Sequence, residues 1–278
     1  MPTAFAIAAH PDDIEFLMAG TLLLLRQAGW ETHYLNVANG SCGSMEQGPV
    51  KTAARRRGES RKAAALLEAH WHPSLVRDAE LYPEDRLIRR LAAVIRDVNP
   101  AIILTHGSDD YMADHTNCCR AVEMAAFVRG MPNFRSQPVR PPAPGEVVLY
   151  HSLPHGLRDP LRRPVVPGLF IDTATVQDRK RGALAAHGSQ KSWLDRTQGM
   201  DSYLHVMDEM AAEVGRWSGK YRVAEGWRRH SHLGYAARDH DLLAAVLGPC
   251  ASVNGAYEAA LHRPAPGRRR RAGHPPAA

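Results

Sequence analysis

The chain has 278 residues, 44% of them hydrophobic, which is enough to build the core of one large domain. No stretch reaches the ~18 consecutive apolar residues of a membrane span. Four cysteines are too few for a disulfide framework in a chain of this length, and the lack of a Cys-x-x-Cys pair argues against a thiolate zinc site. The N-terminus has no basic signal-peptide region, so we expect a cytoplasmic protein without membrane attachment.

The net charge of +6 is concentrated at the C-terminus. Residues 262–278 contain five arginines and no acid, and without those arginines the net charge is +1. A segment so rich in Pro, Gly, Ala and Arg is typical of disorder. We therefore predict one domain at residues 1–261 and a disordered tail at 262–278. The nearly neutral domain predicts no nucleic-acid partner.

Apolar strand patterns alternate with helical patterns along the chain. The predicted strands are Ala4–Ala9, Glu31–Ala38, Ser74–Arg77, Ala101–His106, Val147–Ser152 and Gly168–Thr173. The predicted helices are Asp13–Ala28, Lys51–Ala69, Glu84–Val98, His115–Val128, Val176–Ala186 and Ser202–Trp217. This alternation predicts an α/β fold with a Rossmann-like, mostly parallel sheet and helices on both faces. In such a fold the loops after Ala9, Ala38 and Leu104 would carry a site.

The first of these loops reads His-Pro-Asp-Asp. His10 and Asp13 are three residues apart, so both side chains can lie on the same side of a helix start. Pro11 suits the first helical position, and the helix dipole favours acids in the first turn. Taken alone, the stretch is compatible with helix capping as well as with metal ligation.

The loop after the fourth predicted strand is also rich in metal-ligand side chains. Thr105–His115 contains three aspartates and two histidines. Adjacent strand ends would bring His115 to His10 and Asp13, a set that resembles catalytic zinc sites with two imidazoles and one carboxylate. Zinc lowers the pKa of a bound water to about 7, and the neighbouring Asp12 is placed to accept its proton.

These residues carry a family resemblance. The stretch AHPDD, followed a hundred residues later by Asp-His at a helix start, resembles the PIG-L/LmbE family of zinc-dependent N-acetylglucosaminyl deacetylases. The stretch RRRGESRKAAALLEA resembles the Arg-x-x-Glu helix of that family, at Arg56 and Glu59. KRGALAAHGSQ resembles a later His-x-Ser-Gln segment that begins here at His187. The resemblance covers residues 3–195.

The resemblance implies a hydrolase that removes an N-acetyl group from an N-acetylglucosamine-type sugar or glycoside, with a small N-acetylated sugar as its partner. It implies a Zn²⁺ ion, or another divalent metal, bound by His10, Asp13 and His115. The implied catalytic residues are Asp12 as general base, Arg56 in contact with Asp12 or the substrate, and His187. The chain is also compatible with a homo-oligomer.

The sequence departs from the family pattern at Met112. Many members have a histidine there, in a His-x-Asp-His motif, and that histidine helps to stabilise the tetrahedral oxyanion. Methionine cannot donate a hydrogen bond, so another residue must supply this function. His187 and Tyr111 are the candidates, with His106 as a third.

Other polar residues have structural explanations. Asp114 either orients a neighbouring group or caps the helix. Asp109 and Asp110 are predicted to be solvated turn residues. Structural roles are also expected for Cys118, Cys119, His230 and His232.

Three alternative functions stay open. The first is another zinc amidohydrolase that acts on a thiol-linked or natural-product-linked sugar. The second is a nucleotide-binding protein, but that fold expects Gly-x-Gly-x-x-Gly after the first strand, where this chain has two acids that would repel a pyrophosphate. The third is a non-catalytic sugar-binding module, against which the complete ligand and base set argues.

Overall fold

The computed structural model describes residues 1–190 and 203–262, so Ser202 and positions 263–278 of the predicted tail lie outside the described residues. The strands are β1 (Thr3–Ala8), β2 (Glu31–Asn36), β3 (His70–His72), β4 (Ile102–Thr105), β5 (Val148–Ser152), β6 (Leu169–Asp172), β7 (Ala224–Arg229) and β8 (Ala251–Val253). The helices are α1 (Asp13–Leu17), α2 (Ala19–Gln27), α3 (Pro49–Leu66), α4 (Asp85–Val98), α5 (Ala113–Phe127), α6 (Gln177–Leu184), α7 (Tyr203–Ser218), α8 (Leu242–Leu247) and α9 (Gly255–Leu261).

These strands form one mixed sheet in the order β3-β2-β1-β4-β5-β7-β6-β8. Neighbours from β3 to β5 are parallel, whereas β7 is antiparallel to both β5 and β6, and β8 is antiparallel to β6. Six of the eight described strands therefore point the same way. The predicted α/β class with a mostly parallel sheet is confirmed.

The order of the strands explains why two distant loops meet. The chain moves outward from β1 to β2 and β3, then crosses back to place β4 on the other side of β1. Ile7 on β1 is level with Thr105 on β4, so both strands end at the same height. A sheet of this kind has a crevice outside the carboxyl ends of its strands at the point where the order reverses. The loops after β1 and β4 lie at that crevice.

Helices cover both faces of the sheet, as predicted. One buried cluster contains Leu22 of α2 and Tyr34 of β2 together with side chains of α6 and α7. The other contains Leu91 of α4 and Val122 of α5 against β1 and β4. Because both faces are buried, the central strands consist of apolar runs rather than alternating patterns.

The predicted helix at Asp13–Ala28 is wrong in one respect, because Met18 interrupts it with φ −135° and ψ −20°. The carboxylate of Glu225 on β7 takes the place of a cap: its oxygens accept hydrogen bonds of 2.7 Å from the backbone N–H groups of Gly20 and Thr21. A Cβ atom at Gly20 would lie 2.4 Å from the side chain of Thr173, so only glycine fits at this point.

Part of the sheet was not predicted correctly. The predicted strand at Ser74–Arg77 is wrong, since β3 is the polar segment His70–His72 and Val76 makes only an isolated bridge to Ala38. The charged strand β7 was not predicted because arginines and a glutamate hide its pattern. Within the described part of the chain, no helix has the length and hydropathy to cross a membrane.

Candidate metal centre and active site

The structure brings together His10, Asp13 and His115, the three predicted metal ligands. Nδ1 of His10 lies 3.5 Å from one carboxylate oxygen of Asp13, and Nε2 of His115 lies 3.4 Å from the other. The two imidazole centroids are 5.5 Å apart. Since two neutral imidazoles and a carboxylate are the ligands of many catalytic zinc sites, this set can hold a divalent cation.

Two further carboxylates orient the histidines. Oδ2 of Asp114 lies 3.0 Å from Nε2 of His10, and Oδ1 of Asp110 lies 3.0 Å from Nδ1 of His115. Each contact engages one ring nitrogen and leaves the other facing Asp13, an arrangement common at metal sites.

These contacts show where the side chains of Asp114 and Asp110 lie and what they contact. Asp114 orients His10 and is not the helix cap, because the residue that precedes α5 is Met112. The prediction that Asp110 is a solvated turn residue is wrong, since its side chain is buried against His115. Asp109 is an exposed loop residue, as predicted, and forms an ion pair with Arg228.

The electrostatics of this cluster suit a cation. Burial lowers the pKa of His10, but the carboxylates of Asp114 and Asp13 outweigh it and raise the pKa to about 9. Burial also lowers the pKa of His115, and Asp13 and Asp110 together raise it to about 10. Among the described residues, neither ring nitrogen of the buried His115 has a hydrogen-bond partner, so its contact with Asp110 is an ion pair. The cluster thus stabilises positive charge at the point where its free donor atoms converge, so the residues fit a bound metal.

Asp12 points away from this cluster because its backbone is unusual. Its φ of 116° lies in the left-handed region, which costs a non-glycine residue on the order of 1–3 kcal/mol. The helix α1 begins at Asp13, so the prediction that Pro11 is the first helical residue and Asp12 lies in the first turn is wrong. The strained turn directs two adjacent aspartates into different surroundings.

Burial and the neighbouring charged and polar groups determine the protonation of Asp12. Burial raises the pKa of its carboxyl group, the guanidinium of Arg56 at 3.4 Å lowers it, and the net pKa lies above the ordinary value. The hydroxyl of Tyr203 donates a hydrogen bond of 2.7 Å to the other oxygen. Tyr203 was missed from the sequence because it lies almost 200 residues from Asp12.

The other two family-like segments pack against each other. The carboxylate of Glu59 accepts a hydrogen bond of 2.9 Å from the backbone N–H of Ser189. Arg56, one turn earlier on α3, also donates to the carbonyl oxygen of Pro11. A Cβ atom at Gly40, whose φ is +71°, would lie 2.5 Å from Cδ of Arg56. Arg56 is therefore enclosed beside the site and is not part of a solvated arginine face.

Two of the predicted histidines do not line the cavity. His187 is fully buried, with Nε2 3.4 Å from a carboxylate oxygen of the equally buried Glu15. Burial lowers the pKa of His187, but the carboxylates of Glu15 and Asp12 outweigh it and raise the pKa. His106 is also buried and stacks on His115 with a centroid distance of 4.1 Å. Both lie behind groups that face the cavity.

A cavity of about 220 Å³ opens over the metal cluster. Its described lining is His10, Asp12, Asp13, Phe16, Leu17, Cys42, Gly43, Arg56, Asp78, Tyr111, Met112, His115, His155 and Gln190. It is smaller than the about 300–1,000 Å³ of drug-sized ligand sites, so it suits a small group such as one sugar ring.

His155 is a cavity residue that the sequence reasoning missed. It follows β5, and its ring packs edge-on against Phe16 at 5.2 Å and near Tyr111 at 6.4 Å. Burial lowers its pKa, so the ring is neutral near pH 7. Among the described residues, none forms a hydrogen bond with its ring nitrogens. The rule that loops after parallel strands carry the site would have found it, because Val147–Ser152 was a predicted strand.

The sequence of the chain is similar to a family model and to several known proteins. The family model PIG-L, described as GlcNAc-PI de-N-acetylase, matches residues 5–126. The diacetylchitobiose deacetylase of Thermococcus kodakarensis is 30% identical over 237 residues, which is 80% of this chain and 80% of that protein. The 4-oxalmesaconate hydratase of Pseudomonas putida is 25% identical over 204 residues, 68% of this chain and 74% of that protein.

Among solved structures, the 4-carboxy-2-hydroxymuconate hydratase of Pseudomonas putida superimposes with a TM-score of 0.70 at 21% identity, and covers 87% of this chain and 100% of that one. That likeness concerns the fold. The Thermococcus relative is 30% identical over 80% of each chain, and the PIG-L family model matches residues 5–126. The chain therefore belongs to the PIG-L family.

Proposed function

We propose that this protein is a zinc-dependent deacetylase that removes the acetyl group from an N-acetylated amino sugar. The observation that carries the proposal is the placement of the His10–Asp13–His115 cluster and the separate carboxylate of Asp12 on one small cavity. The name of the Thermococcus relative supplies the substrate class. Hydrolysis of the acetamide would yield acetate and a free amino sugar.

His10, Asp13 and His115 would bind the zinc ion. When bound, it supplies a Lewis acid for the acetamide oxygen and makes a water molecule more acidic. Asp12 accepts a proton from the attacking water as general base, and its protonated carboxyl then delivers a proton to the leaving amine. Arg56 and Tyr203 hold the Asp12 carboxylate in place during both transfers.

His155 donates the hydrogen bond to the oxyanion that Met112 cannot donate. A neutral imidazole donates a hydrogen bond through its N–H, and His155 lines the cavity without a described hydrogen-bond partner at its ring nitrogens. Phe16 and Tyr111 fix the plane of the ring. A fixed donor at the point where negative charge develops is the requirement for an oxyanion stabiliser. Tyr111, which also lines the cavity, is the second candidate.

His187 has a positioning role in this proposal. It contacts Glu15 in the interior, and Glu15 also accepts a hydrogen bond of 3.3 Å from Tyr34. His187 does not line the cavity, so its positive charge lowers the pKa of Asp12 from the interior of the protein.

The hydratase relatives provide a second candidate function, the addition of water to an unsaturated acid. Such a substrate carries carboxylates, which need cationic partners in the cavity. Among the described lining residues the sole arginine is Arg56, which is already engaged by Asp12 and the carbonyl of Pro11. Outside the proposed metal ligands, Asp12 and Asp78 add negative charge. The described lining thus favours a neutral sugar.

The first test measures metal and amine release together. Purified protein should contain zinc, and chelation followed by zinc addition should remove and restore amine release from N-acetylglucosamine or N,N′-diacetylchitobiose. The variant His10→Ala should lose both the ion at this site and the activity. Turnover of an unsaturated dicarboxylate without amine release from any N-acetylated sugar would support the hydratase alternative instead.

Arg56 determines the acidic limb of the pH profile. In Arg56→Met the positive charge that lowers the pKa of Asp12 is lost, so this pKa should rise further. Because the base works only when deprotonated, the acidic limb of kcat/KM should move to higher pH. Arg56→Lys keeps the charge and should shift the limb less. An acidic limb at the same pH in wild type and Arg56→Met would contradict this role.

His155→Ala should lower kcat by about 10²–10³, the usual cost of one oxyanion donor, with a much smaller change in KM. Metal content should stay at the wild-type level because His155 is not among the ligands. Tyr111→Phe is the matched comparison and should cost less. If His155→Ala keeps nearly full activity and Tyr111→Phe loses it, Tyr111 is the donor.

A further inference from the structure

A second group of metal-ligand side chains lies one turn of α5 beyond His115. Cys119 and Glu123 are one turn apart on α5, His151 is on β5, and His230 directly follows β7. We refer to these four residues as the Cys119 cluster. None of them lines the cavity described above.

The donor atoms of this cluster converge. Nε2 of His151 lies 2.9 Å from Nδ1 of His230, and each of these nitrogens lies 3.7 Å from Oε1 of Glu123. Sγ of Cys119 lies 3.3 Å from the same carboxylate oxygen. Bonds of about 2.0–2.3 Å to zinc place neighbouring tetrahedral ligands about 3.3–3.8 Å apart. Three of these four separations are within that range and the fourth is slightly shorter. Sγ of Cys119 lies 3.6 Å from Nδ1 of His151. The donor atoms of Cys119, Glu123 and His151 all lie within 4.8 Å of one another, and His230 joins this group through His151 and Glu123.

The tautomer of His151 favours ligation. Its Nδ1 lies 2.8 Å from the carbonyl oxygen of His106, to which an N–H at this nitrogen donates. The lone pair then resides on Nε2, which faces His230 and Glu123. A histidine that donates one N–H to a backbone carbonyl and offers the other nitrogen is the usual form of a metal-bound imidazole.

The cluster combines a buried ligand with partly exposed ones, as expected for a structural site that an ion can reach from solvent. Cys119 is fully buried, whereas the side chains of Glu123 and His230 are 28% and 26% exposed. Burial raises the pKa of the Cys119 thiol, so the thiolate needs a bound cation. Thiolate and imidazole ligands select zinc and similar transition metals over Mg²⁺ and Ca²⁺.

We propose that the Cys119 cluster is a second, structural zinc site, separate from the catalytic site at His10, Asp13 and His115. With His230 as fourth ligand beside Cys119, Glu123 and His151, the site would leave no position for water, which is typical of structural zinc. The ion would tie α5, which carries His115, to strands β5 and β7. Through His151 it would also hold the carbonyl of His106 in the loop after β4. The lack of a Cys-x-x-Cys pair argued against thiolate zinc, but here the fold supplies ligands from three separate elements.

The test uses the full chain loaded with Co²⁺ in place of zinc. A thiolate bound to cobalt produces a near-ultraviolet charge-transfer band, which an oxygen and nitrogen site lacks. Wild type should bind two cobalt ions per chain and show this band. Cys119→Ala should lose the band and one ion, while Cys118→Ala, with an adjacent buried cysteine outside the cluster, should keep both.

Three further variants complete the test. Cys42 lines the catalytic cavity, so Cys42→Ala must keep the band if it arises from Cys119. His10→Ala should lose one ion and keep the band, which separates failure of this proposal from failure of the proposed catalytic metal. His230→Ala, at a partly exposed position, should weaken the affinity of the second site about tenfold or more. One ion per chain without a charge-transfer band in wild type, or a band that survives in Cys119→Ala, would overturn the proposal.

Discussion

Replacing Asp12 by asparagine should lower kcat for amine release by about 10²–10⁴, the contribution of a positioned general base. An amide of the same shape keeps the hydrogen bond from Tyr203 but cannot accept a proton from water. Metal content should be unchanged, because His10, Asp13 and His115 are intact. The measurements are single-turnover amine release and metal analysis of the same preparation.

Two comparisons show whether this loss is specific. Asp13→Ala should lose the catalytic ion as well as activity. Asp109→Asn, at an exposed loop residue that pairs with Arg228, should retain both. Amine release by Asp12→Asn at the wild-type rate would remove Asp12 as the base and would leave the metal assignment standing.

Replacing Lys180 by methionine should lower the free energy of unfolding by about 3–5 kcal/mol, the usual effect of leaving one partner of a buried ion pair alone. The ammonium group of Lys180 lies 2.7 Å from Oε1 of Glu225, and both side chains are at most 3% exposed. Without it, Glu225 would carry an uncompensated charge inside the protein, although Gly20 and Thr21 still donate to it. Urea unfolding monitored by circular dichroism measures the change.

The double variant Lys180→Met with Glu225→Gln isolates the charge effect. It removes the unpaired carboxylate, so it should recover part of the stability lost in the single variant. Arg216→Met disrupts an exposed pair with Glu213 and should leave the unfolding transition nearly unchanged. A single Lys180→Met variant as stable as wild type would show that this pair contributes nothing to stability.

Much of the site was predictable because it lies at strand ends. The apolar runs at β1 and β4 marked two strands, and the class of fold places the loops after such strands at one edge. The prediction of His10, Asp13 and His115 as metal ligands followed from this rule and from the ligand types. Asp110 was misassigned because a sequence of adjacent aspartates does not show which one turns inward.

The sequence alone determined the α/β class and the family resemblance, and it led to the proposed metal-ligand set and the proposed role of Asp12, because each depends on residues next to a recognisable strand or motif. Only the tertiary structure decided that Tyr203 and Arg56 hold Asp12, that His155 faces the cavity while His187 does not, and that Cys119, Glu123, His151 and His230 converge. These contacts join residues from different helices and strands. Their distances depend on how the elements pack, and periodicity along one segment carries no information about that packing. The same limit explains why the segment His-Pro-Asp-Asp could be predicted as a ligand site, whereas the strained φ that separates Asp12 from Asp13 could not be predicted.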